Sequence, residues 1–411
     1  MQRVQLVCTT FELQLPFVLF LFLFFSGLLV YLSFRSFLGG VAYLAFFRQQ
    51  LATPPSSFLP FATVIVPCKG LDEGLRENLS ALLKLNYPEY ELIFVVDNES
   101  DPAVEPIRAI LNDGSRLKNK LVIAPTAVDC SQKVENIRTA VAHANPRSQV
   151  LVFVDSDARP QKQWLRELVA PLEPPNVGAA TGYRWFLSTN PTFASELRSA
   201  WNASIASALG PNTASNFCWG GSTAVRRQTW EGLNLSERLK GTLSDDFTVT
   251  RAMKDAALEI VFVPQALTPS MGNCTIKELF EFTTRQMKIT RVYKPQLWAL
   301  SFFGSALFCG VILSAFLIIL LSRSNSWLVW SAIATLAIVS ALSIGKAWLR
   351  LRAVSLIIPT ASRQFLPQIT LWLLAPPLFL WNCISALVSR TINWRGIRYR
   401  LISATETERL K

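Results

Sequence analysis

Val150-Leu151-Val152-Phe153-Val154-Asp155-Ser156-Asp157 is a run of five apolar residues closed by two carboxylates one residue apart. An unbroken apolar run, rather than an alternating one, belongs to a strand covered on both faces, as in a parallel sheet sandwiched between helices. Similar runs occur earlier, at residues 62–66, 92–97 and 121–124, and a later one lies at 259–263. Between the earlier runs lie segments with helical spacing, such as Leu75, Leu79, Leu82 and Leu83. Strands alternating with helices predict an α/β layer around a mostly parallel sheet. Ligands of such sheets bind beyond the carboxyl ends of the strands. Carboxylates stand at those ends, because Asp97 closes Ile93-Phe94-Val95-Val96 and Asp155 closes the quoted run.

The first strand runs into Pro67-Cys68-Lys69-Gly70, whose lone glycine is a poor pyrophosphate cradle. A nicotinamide enzyme is therefore disfavoured. Asp155-Ser156-Asp157 presents two hard oxygen ligands that suit a divalent cation bridging the phosphates of a nucleoside diphosphate. The same tripeptide also serves as a turn or helix cap elsewhere, and its position after a buried strand favours the cation reading. Asp245-Asp246 opens a helical run through Met253 and reads either as acidic capping or as a general base. Gly220-Gly221 reads either as a plain turn or as backbone left bare for the close approach of a sugar. Residues 275–294 form a polar and apolar helical pattern that reads either as a plain juxtamembrane helix or as one that lays Phe280, Met287 and Val292 on a bilayer. Arg285, Lys288 and Arg291 are expected to face the domain or phosphates.

Beyond this domain the 411-residue chain, 51% hydrophobic with mean hydropathy +0.31, gathers its apolar excess at 13–34, 297–321, 327–344 and 369–388. Each uncharged block is about the 20 residues a helix needs to cross the hydrocarbon layer. The first is longer than a signal-peptide core and lacks a small-residue cleavage pattern, so it reads as an anchor. Arg35 and Arg48 follow it, which puts the soluble domain in the cytoplasm by the positive-inside bias. One arginine, Arg323, lies in the next short gap, and Lys346, Arg350, Arg352 and Arg363 mark a cytoplasmic connection. Three crossings after the domain would leave the tail's Arg390, Arg395, Arg398 and Arg400 outside, against the same bias. Either the block containing Pro376-Pro377 does not cross fully, or a further segment enters the membrane.

The net charge of +12 flanks apolar spans, and no RNA- or DNA-binding motif accompanies it, so nucleic acid is not an expected partner. Anionic lipid headgroups fit better. Seven cysteines without a Cys-x-x-Cys pair argue against a disulfide framework or a zinc site. The single histidine, His143, sits in an apolar helical pattern, which removes most of the weight from histidine-based mechanisms.

In order along residues 61–401, these features resemble family 2-type glycosyltransferases of the GT-A fold. They look most like the ceramide glucosyltransferase branch with its bacterial lipid-glycosylating relatives. Pro67-Cys68-Lys69-Gly70, Asn86-Tyr87-Pro88-Glu89-Tyr90-Glu91, Lys133-Val134-Glu135-Asn136 and the tail from Ile392-Asn393-Trp394-Arg395 to Leu401 carry the likeness. Single motifs are common, whereas the ordered set is specific. The resemblance implies an inverting transfer of a hexose from a UDP-sugar, UDP-glucose foremost, to a membrane lipid such as ceramide. Asp246 would be the catalytic base. Lys69, Asp97, Lys133, Asp155, Gly220, Gly221 and Asp245 would bind the nucleotide sugar. Asp155 and Asp157 would hold Mg²⁺ or Mn²⁺, and Arg285 with Lys288 would serve the diphosphate and acceptor.

The implied plan is a tail (1–12), a transmembrane anchor (13–34), a cytoplasmic GT-A catalytic domain (58–274) and an amphipathic interfacial helix (275–295). A membrane bundle of about three hydrophobic segments (296–389) and a basic tail (390–411) complete an integral, multi-pass protein. One departure concerns the acceptor. The family's pattern of Gln or Arg, two residues, then Arg-Trp is here Arg285-Gln286-Met287-Lys288-Ile289, which keeps a cation but loses the planar fork and the aromatic platform. A processive polysaccharide synthase would need more spans and an intact Arg-Trp gate. Transfer of N-acetylglucosamine or another sugar to a hopanoid or glycerolipid remains open, as does a catalytically silent membrane protein.

Overall fold

The computed structural model describes residues 2–54, 56–112, 118–322 and 327–410; the connection carrying Arg323 lies outside them. In chain order the strands are β1 (Ala62–Pro67), β2 (Tyr90–Val96), β3 (Lys118–Ile123), β4 (Val150–Val154), β5 (Val177–Thr181) and β6 (Arg184–Leu187). There follow β7 (Ser222–Arg226), β8 (Glu259–Phe262), β9 (Thr268–Met271), β10 (Thr391–Trp394), β11 (Ile397–Leu401) and β12 (Thr407–Leu410). Seven of them form one sheet in the order β3-β2-β1-β4-β7-β5-β8. β7 alone runs against its neighbours, while β1 is parallel to both β2 and β4. The expected mostly parallel α/β sheet is present.

Alternation of side chains explains the continuous apolar runs. Val64, Val66, Leu92, Phe94, Val152 and Val154 pack on one face against Leu79, Trp164 and Leu168. Ile65, Ile93, Val95, Leu151 and Phe153 pack on the other against Val134, Ile137 and Trp230. Each such side chain fully buried contributes about 1.5–3 kcal/mol, so these runs outweigh any surface contact in fixing the sheet. β4 and β7 pair with Val154 opposite Ser222. That register brings Gly220-Gly221 to the same edge as Asp155.

The apolar segments are helical. Gln2–Ala52 is one helix, running well past residue 34, and Arg35 and Arg48 lie on it. Among the described residues, Leu19–Ala52, Pro295–Leu321 and Trp327–Ser355 are long and apolar enough to cross a membrane. The pair Pro359–Leu373 and Ala375–Val388 is bent by 59°. The break falls just before Pro376-Pro377, which sit in the first turn of the second member, where prolines are tolerated but cannot extend a preceding helix.

Buried polar contacts join the long helices to the domain. Arg350 donates to Gln368 Oε1 at 3.1 Å, and Gln368 Nε2 reaches Ser199 Oγ at 3.3 Å. Gln364 then accepts from Trp185 Nε1 at 2.8 Å and donates to Glu196 at 3.0 Å. The helix Phe193–Ala206 is thereby held against both halves of the molecule.

Residues 390–411, expected only as a basic tail, contribute an antiparallel sheet in the order β10-β11-β12. Ile392, Tyr399 and Leu401 pack on Leu243, Ile289 and Tyr293. The Tyr399 hydroxyl accepts from Gln132 N at 3.1 Å. Tyr399→Phe leaves that buried amide unpaired, a cost of about 1–3 kcal/mol, and Tyr399→Ala adds a cavity that raises the loss to roughly 3 kcal/mol or more. Thermal unfolding in detergent should therefore rank wild type above Tyr399→Phe above Tyr399→Ala. Equal midpoints would show that the tail sheet does not support the domain.

Candidate active site

Four carboxylates meet at the carboxyl end of β4. Asp155 and Asp157 follow the strand directly. Asp245 and Asp246 occupy the first turn of the helix Asp245–Asp255, whose N-cap is Ser244, accepting from Phe247 N. Capping is thus done by the serine, and both aspartates are free for other partners. Lys133, in the first turn of the helix Gln132–Ala142, sits 2.8 Å from Asp155 Oδ1 and 3.3 Å from Asp245 Oδ2. Arg184, at the start of β6, sits 3.2 Å from Asp155 Oδ2 and 3.6 Å from Asp157 Oδ2, with its guanidinium 4.7 Å from the centre of the Trp219 ring.

Asp246 Oδ1 accepts from Gly220 N at 2.5 Å. A Cβ on Gly220 would lie 1.9 Å from Asp245 Oδ2, and one on Gly221 would lie 2.1 Å from the Trp219 ring and 2.6 Å from Asp155 Oδ2. The bare backbone here accommodates the protein's own carboxylates and tryptophan. The expectation of space for a sugar at these glycines is corrected accordingly.

The electrostatics divide the four acids. Burial disfavours ionised Asp155, but Lys133 and Arg184 more than offset it and hold its carboxyl below the ordinary range. Asp157 is pushed up by burial, with Asp155 and Asp72 adding to the effect against Arg184. Burial and then the neighbouring Asp245 charge raise Asp246 to about 7. Lys133 is held protonated by Asp155, Asp245 and Asp246 despite its burial.

A cavity of about 1250 Å³ opens over this cluster. Of the expected residues, Lys69, Lys133, Asp155, Asp157, Asp245, Asp246 and Arg285 line it, whereas Asp97, Gly220, Gly221 and Lys288 do not. Asp97 is held by Lys69 at 2.7 Å. Lys288 is turned away and donates to Thr391 O at 2.7 Å. Met287, expected on a bilayer, is buried and lines the cavity instead. Arg285 keeps no carboxylate within ion-pair distance among the described residues. Burial and the guanidiniums of Arg184 and Arg395 push it down to about 10.

Arg184 and Arg395 were not singled out from the sequence as site residues. Arg184 lies in a short segment with no motif around it, and Arg395 is one of several arginines in a basic run. A usable signal existed at Arg184, a lone arginine between aromatic residues in Tyr183-Arg184-Trp185.

The fold is a mostly parallel sheet whose carboxyl ends carry paired acids and cations beneath a large cavity, with helices attached that are long and apolar enough to cross a membrane. The chain belongs to glycosyl transferase family 21, whose model matches residues 29–407. Over 114 residues it is 27% identical to Ceramide glucosyltransferase 1 of Caenorhabditis elegans, which covers 28% of this chain and 24% of that protein. Over 98 residues it is 28% identical to Ceramide glucosyltransferase 3 of the same organism, covering 24% and 21% respectively. The matched stretches thus span less than a quarter of the length of those relatives.

Among solved structures it is similar to the mannosyltransferase PcManGT of Pyrobaculum calidifontis in complex with GDP-Man and Mn²⁺. That likeness has 19% identity and a TM-score of 0.46, over 89% of this chain and 98% of that one. It is also similar to GalNAc-T7 with UDP, GalNAc and Mn²⁺, at 14% identity and a TM-score of 0.38, over 53% and 45%.

Gly220→Ala must displace Asp245 and Asp246 together. Glycosyl transfer by this variant should fall by about 10²-fold or more while far-ultraviolet circular dichroism stays that of the wild type. Wild-type turnover would mean that the two carboxylates tolerate movement and are not held for catalysis.

Proposed function

We propose that this glycosyltransferase moves a hexose from a UDP-sugar, UDP-glucose by resemblance, to the hydroxyl of a membrane lipid such as ceramide, with inversion. The observation that carries this reading is the continuity of the cavity. Its wall runs from Asp155, Asp157 and Asp246 past Phe247, Tyr293 and Trp201 to Pro295, Leu297 and Ser301 at the start of an apolar helix, and to Phe379. One end is charged and the other apolar, as a charged donor and a lipid acceptor require. The partial likeness to ceramide glucosyltransferases supports the acceptor class.

In this reading Asp246 takes the proton of the acceptor hydroxyl as its oxygen attacks the anomeric carbon and the bond to the diphosphate breaks. A carboxylate raised to about 7 is a stronger base than an ordinary aspartate, which suits proton abstraction near neutrality. Asp245 raises that basicity by like charge and is itself restrained by Lys133. Arg285 and Lys69 offer positive charge to the donor, and Lys133 holds Asp155 in place.

The residues also fit a divalent cation. Asp157 Oδ1 is buried with no hydrogen-bond partner, and hard oxygen donors suit Mg²⁺ or Mn²⁺. Among the described residues no group of three or more His, Cys, Asp or Glu side chains could hold a metal alone, so donor phosphates would complete the set. When bound, the ion supplies charge neutralisation for the leaving diphosphate. Asp157 and Asp155 would hold it, with Asp155 already engaged by Lys133 and Arg184.

The membrane arrangement follows from the tail. Because β10–β12 pack on the catalytic domain, the two lie on one side of the bilayer. If Pro295–Leu321 and Trp327–Ser355 both cross, the chain returns to that side, and of the two courses open to the bent pair, a broken span or a re-entrant loop, this reading takes the re-entrant one. In this reading the tail arginines share a side with the domain, and the positive-inside bias supports the cytoplasm for both.

Asp246→Asn should cut turnover by about 10²- to 10⁴-fold while UDP affinity by calorimetry stays within several-fold. Full turnover in this variant would remove the proposed base. The pH dependence supplies an independent check. A base must be deprotonated, so kcat/KM should rise with pH through about 7 and level off above it. Asp245→Asn removes a like charge, and its rising limb should move to lower pH. An unmoved limb, or one moved upward, would detach the titration from this acidic pair.

A further inference from the structure

The tip of the C-terminal hairpin stands over the Asp-Ser-Asp turn. Trp394 pairs with Ile397 across β10 and β11, leaving Arg395-Gly396 as a two-residue turn. Both turn residues have positive φ, +51° for Arg395 and +78° for Gly396. Such turns favour Asn-Gly or Gly-Gly, because a side-chain-bearing residue in the left-handed region is strained. Here the strained position carries a long cation.

The hairpin is anchored rather than loose. Tyr399 receives the Gln132 amide, Lys288 donates to Thr391 O, and Arg285 lies 5.7 Å from the Trp394 ring with Nη1 3.4 Å from Asn393 O. Two cations of the interfacial helix thus hold the hairpin backbone. The hairpin's own cation projects into the cavity, which Trp394, Arg395, Gly396 and Ile397 all line.

Arg395 pairs with Asp72, whose other oxygen accepts from Ser156 Oγ at 2.6 Å. Asp72 therefore ties the guanidinium to the middle residue of the Asp-Ser-Asp turn. The Arg395 side chain remains 43% exposed, so it is free to exchange partners. Its fork-shaped donor set matches a phosphate group as well as a carboxylate.

We propose that Arg395 is a donor-binding residue that grips the diphosphate of the nucleotide sugar from the C-terminal hairpin, the place expected for Lys288 on the interfacial helix. This rests on the reading of the cavity as a nucleotide-sugar site. Without donor the guanidinium rests on Asp72. With donor it contacts phosphate oxygens in the cavity that the anchored hairpin already lines.

The test is calorimetric titration of the full-length protein in detergent with UDP and with UMP, in the presence of Mn²⁺, together with its thermal midpoint. Arg395→Gly removes the cation and also relieves the backbone strain. Its midpoint should be equal to or above that of the wild type, while its UDP affinity falls about tenfold and its UMP affinity falls much less. Arg395→Lys should recover part of the UDP affinity. UDP affinity within twofold of wild type in Arg395→Gly would overturn the proposal, as would equal losses for UDP and UMP, which indicate a general disturbance of the pocket. If the wild-type protein binds neither UDP nor UMP, the nucleotide-sugar reading itself falls and takes this assignment with it.

Discussion

Asp155, Asp157, Asp245 and Asp246 share the buried space at the end of β4, and like charges so placed repel strongly. At 4 Å the interaction is about 4 kcal/mol for an effective dielectric near 20, a large fraction of a domain's net stability. Lys133 and Arg184 make the cluster tolerable by touching three of the four acids between them. Those two cations come from a helix start and from a short strand distant in sequence. The site therefore requires the sheet, the Gln132–Ala142 helix and β6 to be assembled together. The fourth acid, Asp246, has no cation within ion-pair distance among the described residues, only the Gly220 amide. Its ionisation is hindered by burial and by the neighbouring Asp245 charge.

The same crowding explains Gly220-Gly221. β7 runs against β4, so the residues leading into it lie beside Asp155, where two carboxylates and the Trp219 ring already fill the space. Any side chain at these positions would push an acid away from its cation. An antiparallel strand in an otherwise parallel sheet thus brings a side-chain-free segment to the crowded edge.

The central strands were legible because both of their faces are buried, and continuous apolar runs such as Ile93-Phe94-Val95-Val96 follow directly. β5, with Gly178 and two alanines, and β7, beginning Ser222-Thr223, escaped notice because small or polar residues break the run. β11 carried a clear strand signal in Ile397-Arg398-Tyr399-Arg400-Leu401, where apolar and basic residues alternate strictly. Counting its arginines as a charge run hid that period. Asp155 and Asp157 were legible from their position after a strand, and Asp245 and Asp246 from theirs at a helix start. Arg395 was hidden in a basic run, and Arg184 left only its aromatic neighbours as a signal, since long-range ion pairs leave no motif of their own. Lys288 shows the converse: its type and spacing suited a phosphate contact, yet its ammonium is spent on a tail carbonyl.

The proposed acceptor gives the attached helices an energetic reason. Withdrawing an acyl chain from the bilayer costs about 0.8 kcal/mol per methylene, so lifting a long-chain lipid wholly into a cytoplasmic site would cost on the order of 10 kcal/mol. A cavity whose wall continues from Asp246 and Tyr293 into Leu297 and Ser301 avoids most of that cost. Tyr293 and Pro295 are separated by Lys294 alone, so the interfacial helix passes almost without a break into the apolar helix. Leu300 and Phe303 on that helix are exposed, as lipid-facing residues must be. The acceptor's hydroxyl can then reach the base while its chains stay among such side chains. The proposed base, in turn, is fixed against the interfacial helix, because the Tyr293 hydroxyl accepts from the amides of Leu243 and Ser244, immediately before Asp245-Asp246. A shift of the interfacial helix in the membrane plane would therefore move acceptor wall and acidic pair together, keeping the hydroxyl and its base in register.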